Sequence, residues 1–222
     1  MNGKLREQII QKKIREKHAG LEAVFSGYPS LDEFIDKIAS ALSGGIEIVQ
    51  LSGENLSDKD FLDCARKIKQ LCEMFNATFI VKNRADIARL SGADSVNLEQ
   101  EDIDIRNVKE IIGEEILVGL YVNTENDVLL SVKDGADYIS INQIFPTPQE
   151  PVKNTGLEYA KWVSENTLCP VLLSGNINVN NYQILLNNNF NRFLIDNSLL
   201  DTFSPNSVTV NILNCLKDFE SY

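Results

Sequence analysis

Two eight-residue blocks, Ser91-Gly-Ala-Asp-Ser-Val-Asn-Leu98 and Asp134-Gly-Ala-Asp-Tyr-Ile-Ser-Ile141, share one pattern and lie 43 residues apart, the length of two strand-helix units. A repeat of that kind implies an internally repeated fold. In each block a Gly suits the left-handed end of a helix, an Asp follows in the turn, and an alternating apolar run opens a buried strand. This is the helix-to-strand return of a (β/α) barrel, whose chemistry lies just beyond the strand C-termini. Those positions hold Glu99-Gln-Glu-Asp102 after the first block and Asn142-Gln-Ile-Phe-Pro-Thr-Pro148 after the second.

The rest of the chain alternates in the same way. Strands are predicted over 21–25, 46–51, 78–81, 95–98, 116–120, 138–141, 170–173 and 191–195. Between them fall helices over 31–42, opened by a Ser30/Glu33 capping box, and after Ser57, where Phe61, Leu62, Ala65, Ile68, Leu71 and Cys72 recur at helical spacing. Further helices are predicted over 85–90, 105–112, after Thr124, and over 156–165 and 180–186, with a last one ending near Phe219. Eight strands alternating with helices predict a (β/α)8 TIM barrel, with an open doubly wound sheet as the alternative. An extra helix over 3–17 makes 1–20 an N-terminal helical extension and 21–222 a single barrel domain. At 222 residues the chain is shorter than the ~250 of a typical barrel, so insertions should be few.

The net charge of −11 argues against nucleic acid and anionic membrane surfaces as partners. Lys12, Lys13, Arg15 and Lys17 alternate with Glu7, Glu16 and Ile residues and read as a solvated helix face. Neither a signal peptide nor a membrane-spanning run is visible, so a cytoplasmic location is expected. Cys64, Cys72, Cys169 and Cys215 lack metal or redox spacing, and the first two read as core-facing thiols.

Taken in order, the strand ends carry Gln50-Leu-Ser-Gly-Glu54, Lys82-Asn-Arg-Ala-Asp86, Asn97-Leu-Glu-Gln-Glu-Asp102, Gly119-Leu-Tyr-Val-Asn123, Phe145-Pro-Thr-Pro148, Ser174-Gly-Asn-Ile177 and Asp196-Asn-Ser198. This series resembles the thiamine phosphate synthase and thiazole tautomerase family, in register from about Gly45 to Ser198. The resemblance implies a Mg²⁺-assisted joining of a pyrimidine pyrophosphate to a thiazole phosphate. Such a reaction needs carboxylates for the metal, and cations and backbone N–H groups for phosphate oxygens.

Several positions depart from the family pattern. Gln-x-Arg-x-Lys reads Gln50-Leu-Ser52-Gly-Glu54, Asn-Asp-Arg reads Lys82-Asn83-Arg84, and Thr-x-Thr-Lys reads Thr147-Pro-Gln149-Glu150. Two expected phosphate cations are thus anions, and one metal carboxylate is an amide. The candidate substrate-binding residues are Gln50, Lys82, Arg84, Tyr121, Asn123, Thr147, Gly175, Asn176 and Asn197, of which Lys82 has no family precedent and Tyr121 stands where the family has Ser; weak Mg²⁺ binding falls to Asp102 and Asn83. The tautomerase branch would need a proton-transferring His. His18 is the single histidine, ahead of strand one, and Asn123 stands at the expected place.

Structural roles compete with these assignments. Gln50 also suits a buried strand end, Arg84 and Asp86 a local ion pair, Asp102 a helix start, Thr147 a stiff loop, and Lys82 either a replacement cation or a solvated lysine. Gly175 suits a backbone phosphate cradle, where a Cβ would intrude. Three functions follow: a divergent synthase, a non-catalytic barrel binding a thiamine precursor or a protein, or a barrel recruited to another small phosphorylated molecule. Self-association is left open.

Overall fold

A computed structural model describes residues 3–146 and 156–220. Eight parallel strands close in chain order: β1 (Ala19–Val24), β2 (Ile48–Ser52), β3 (Thr78–Lys82), β4 (Ser95–Leu98), β5 (Leu117–Tyr121), β6 (Tyr138–Ile141), β7 (Val171–Leu173) and β8 (Phe193–Ile195). Closure sets β1 beside β8, with Ala19, Gly20 and Leu21 opposite Phe193, Leu194 and Ile195. The open-sheet alternative is excluded. Strand one starts at Ala19 rather than 21, and β2 is shifted two residues later than expected, to Ile48.

Period-two alternation divides the apolar side chains between two cores. Leu21, Val49, Leu51, Phe79, Val81, Val96, Val118, Ile139 and Phe193 face outward and pack under the helices. Ile48, Ile80, Leu117, Tyr138, Leu172 and Leu194 point into the lumen near the strand N-termini. Further along the same faces stand Gln50, Lys82, Asn97, Tyr121, Ser140 and Ser174. The lumen therefore turns from apolar to polar toward the strand C-termini, where a barrel places its site.

Outer helices are α2 (Leu31–Ser43), α3 (Asp58–Met74), α4 (Ala85–Ser91), α5 (Ile105–Ile112), α6 (Glu125–Asp134), α7 (Leu157–Asn166), α8 (Tyr182–Asn187) and α9 (Pro205–Glu220). Ser30, Ser57 and Thr124 cap α2, α3 and α6 through side-chain oxygens that accept from backbone N–H groups. The full reciprocal box forms at Thr124/Asp127, whereas at Ser30 the observed bond is the one from the Glu33 N–H. Asp104, not Asp102, caps α5. Gly92 and Gly135 end α4 and α6 at φ of 72° and 88°, as the repeat requires.

The N-terminal segment is α1 (Gly3–Ile10) followed by a π-helical turn over Gln11–Arg15, rather than one helix to Lys17. Its Ile10 and Ile14 close the apolar end of the lumen. The two repeat aspartates hold it there. Asp94 and Asp137 each accept a backbone N–H from the neighbouring strand, Phe79 at 2.9 Å and Val118 at 2.8 Å. Each then turns its carboxylate to a cation of the segment: Lys13 lies 2.8 Å from Asp94, and Arg6 Nε donates to Asp137 at 2.6 Å. Of the basic cluster, Lys12 is exposed as expected, but the other three are not on a solvated face. Lys13 pairs with Asp94, Arg15 donates to the Leu168 carbonyl and Lys17 to that of Asn76, because the cluster lies against the barrel floor.

Cys64 and Cys72 are buried in the outer core, and burial pushes both thiols up to about 12. No helix among the described residues is long and apolar enough to cross a membrane.

Candidate functional site

At the polar end of the lumen, side chains from seven strand ends meet around Gln50. This fully buried amide donates to Tyr121 Oη at 2.9 Å and to Glu22 Oε1 at 3.3 Å, and accepts from Asn97 Nδ2 at 2.9 Å. Asn97 Nδ2 also donates to Ser140 Oγ at 2.8 Å. Tyr121 is further hydrogen-bonded to Ser174. Such a network fixes every member's rotamer, because breaking one bond strands a buried polar group.

Lys82 rises above this layer. Its Nζ lies 3.5 Å from Glu99, 3.9 Å from Glu22 and 5.4 Å from the centre of the Tyr121 ring. Burial raises the pKa of Glu22, with Lys82 opposing that shift, and the charge of Asp196 pushes the same way as burial. Glu99 is raised by burial for the same reason, again opposed by Lys82. Burial holds the Tyr121 hydroxyl well above its ordinary value, so it serves as a neutral donor and acceptor.

Two cavities open from this layer. One, of about 270 Å³, is lined by Ser52, Glu54, Phe61, Lys82, Asn83 and Arg84 among others. The second, of about 400 Å³, lies by Glu22, Asp196, Asn197, Ser198 and Asp201. Asn97 Oδ1, Asn142 Oδ1 and Ser198 Oγ are buried without a partner. Of these three, Ser198 lines the second cavity.

The expected site residues divide by location. Gln50, Lys82 and Tyr121 come together in the lumen. Arg84 is clamped by Asp86, through Nε at 2.9 Å and Nη2 at 2.7 Å, and by Asp58 at 2.7 Å, while it also lines the first cavity. Its hydrogen bonds depress Asp86. Asn197 spends both ends of its amide on Val24, accepting from its N–H at 3.0 Å and donating to its carbonyl at 2.6 Å, which latches β8 to β1. Gly175 has φ of 90°, and a Cβ there would stand 2.0 Å from the Gln143 nitrogen. Close approach of the loop after β6 requires this glycine before any phosphate does. Asn176 donates to the Pro146 carbonyl at 3.0 Å, and the Asn123 N–H is tied to Asp127 at 3.0 Å. Thr147 lies outside the described residues, as do Gln149, Glu150 and Lys153.

Asp102 Oδ2 accepts from the Glu99 N–H at 2.9 Å, and Asn83 is exposed on a left-handed turn at φ of 63°. No group of three or more His, Cys, Asp or Glu placed to hold a metal ion occurs among the described residues.

A family profile described as thiamine monophosphate synthase matches residues 22–195, from the lumen carboxylate of β1 to the end of β8. The chain belongs to the thiamine monophosphate synthase family. It is 33% identical over 164 residues to a thiamine-phosphate synthase of Clostridium tetani, covering 73% of this chain and 78% of that protein. It is 37% identical over 177 residues to a thiamine-phosphate synthase of Prochlorococcus marinus, covering 79% of this chain and 50% of the relative. The chain thus spans about half the length of that cyanobacterial relative. Among solved structures, a thiamine phosphate pyrophosphorylase from Pyrococcus furiosus superposes with a TM-score of 0.78 over 97% of this chain and 98% of that one. At 24% identity this supports the fold.

Glu22 is the first matched residue, yet motif reading missed it. Its signal was alternation: Gly20, Glu22 and Val24 share one face of a strand whose other face is Leu21 and Ala23. Ser140 and Ser174 were legible on the same grounds.

Proposed function

We propose that this family member is a thiamine-biosynthesis barrel that holds a small phosphorylated thiamine precursor at its mouth and joins pyrimidine to thiazole far more slowly than a fully equipped synthase. The observation that carries this reading is the position of Lys82. Among the described residues it is the cation that faces the lumen, and it is shared between Glu22 and Glu99. A departing pyrophosphate needs preorganised positive groups, and losing one such donor typically costs about 10²–10³-fold in rate. Ser52 and Glu54 line the cavity where the family pattern has cations.

The deciding assay supplies pyrimidine pyrophosphate, thiazole phosphate and Mg²⁺ to the wild type and to a variant carrying Ser52→Arg, Glu54→Lys, Asn83→Asp and Glu150→Lys. The expected result is turnover that rises by orders of magnitude in the restored variant. Ordinary synthase turnover by the wild type would overturn the proposal. Failure of every thiamine precursor to raise the melting temperature would overturn the binding part of it.

A further inference from the structure

We propose that the closed end of the barrel, opposite the mouth, carries a second site, which takes a phosphate-type dianion between the guanidinium groups of Arg15 and Arg192. A cavity of about 380 Å³ opens there, lined by both arginines together with Thr167, Cys169, Asn189 and Phe190 among others.

Arg192 precedes β8 and is largely enclosed. Its Nε donates to the carbonyls of Ile14 at 3.0 Å and Lys17 at 3.1 Å, and its Nη2 to that of Arg15 at 2.7 Å. These partners are dipoles, and no carboxylate pairs with Arg192 among the described residues. Burial, and then the charge of Arg15, pull its pKa down. Arg15 is scarcely better balanced: Nη2 donates to the Leu168 carbonyl at 3.0 Å, while the buried Nε makes no hydrogen bond and faces the exposed Glu7 carboxylate at 3.5 Å. Enclosed charges are ordinarily paired, because an uncompensated one is expensive. Both arginines line the cavity with one exposed counter-charge between them, and the guanidinium N–H groups not spent on carbonyls, those of Arg192 Nη1 among them, suit phosphate oxygens.

Cys169 lines the cavity and reports on it. Burial raises its thiol pKa, while the Thr167 hydrogen bond and the Arg15 charge lower it, so a bound dianion both shields the sulfur and cancels the activating charge. The experiment measures iodoacetamide alkylation by peptide mass, with Cys215 as the internal reference. Inorganic phosphate and, in a second arm, glycerol phosphate are compared with chloride at equal ionic strength. At millimolar phosphate, Cys169 of the wild type is expected to react at least about threefold more slowly, as saturable binding to the folded state requires. Greater protection by glycerol phosphate would identify a phosphomonoester as the source.

Arg15→Gln, which leaves the Arg192 carbonyl bonds in place, is expected to lose the protection. Lys82→Gln at the mouth is expected to keep it. Equal alkylation rates in phosphate and chloride, persistence of the protection in Arg15→Gln or its loss in Lys82→Gln would each overturn the proposal, whatever the outcome of the synthase assay.

Discussion

Lys82 is held in place by two carboxylates whose pKa values burial raises, and this sets a pH dependence. Glu22 and Glu99 both titrate above the 4.5 of an unfolded glutamate, so the folded chain binds those protons more tightly than the unfolded one. Their contribution therefore favours folding below the unfolded value and fades as pH rises through the raised folded values. Urea denaturation of wild type and Glu22→Gln across that range should show a shallower decline in the variant; identical profiles would refute the assignment. Tyr121→Phe removes the hydroxyl that accepts from Gln50 and is expected to cost about 1–3 kcal/mol, the usual penalty of an unpaired buried group. Gly175→Ala meets both the positive φ and the Gln143 backbone, and should cost more than about 1 kcal/mol and disturb the loop after β6. Of these residues, Gln50, Lys82 and Tyr121 were legible because strand alternation and the family register coincide there. Asn197 and Gly175 were legible as special positions, but their partners, Val24 and Gln143, belong to other strand ends that no local pattern links.

Helix boundaries were readable wherever a cap is a local event, as at Ser57, Thr124, Gly92 and Gly135. The N-terminal segment was not, since what straightens or bends it lies far along the chain. Its cations meet Asp94 and Asp137, and its isoleucines meet a layer drawn from six strands. Ile14→Ala should cost about 2–5 kcal/mol, as for other fully buried aliphatic truncations, and calorimetry or denaturant melts would measure it. Asp137→Asn leaves Arg6 facing a neutral amide and should cost about 3–5 kcal/mol, the loss expected on breaking a buried pair. A change below measurement error in both variants would mean that the segment rests on the barrel without stabilising it.

The closed barrel was legible from the repeat and the count of strands, because eight strand-helix units of this length have few other ways to bury both strand faces. Charge at the mouth was legible only as a list of departures, since sequence does not show that Lys82 is already committed to Glu22 and Glu99. With that lumen, a phosphorylated precursor approaches a field of its own sign, so added salt should leave its affinity unchanged or improve it. Calorimetric titration at low and high ionic strength would test this, and the steep weakening typical of cation-lined sites would contradict it. The seam between β1 and β8 has a consequence for how the protein is made. Residues 19–21 emerge from the ribosome early, but their partners at 193–195, the Asn197 latch and Arg192 arrive nearly at the end. At roughly 5–20 residues per second, β1 waits on the order of 10–35 s with one edge unpaired. A nascent chain stalled before residue 192 would carry that edge as an open invitation to neighbouring chains, which makes prompt completion of translation part of what keeps this protein from aggregating.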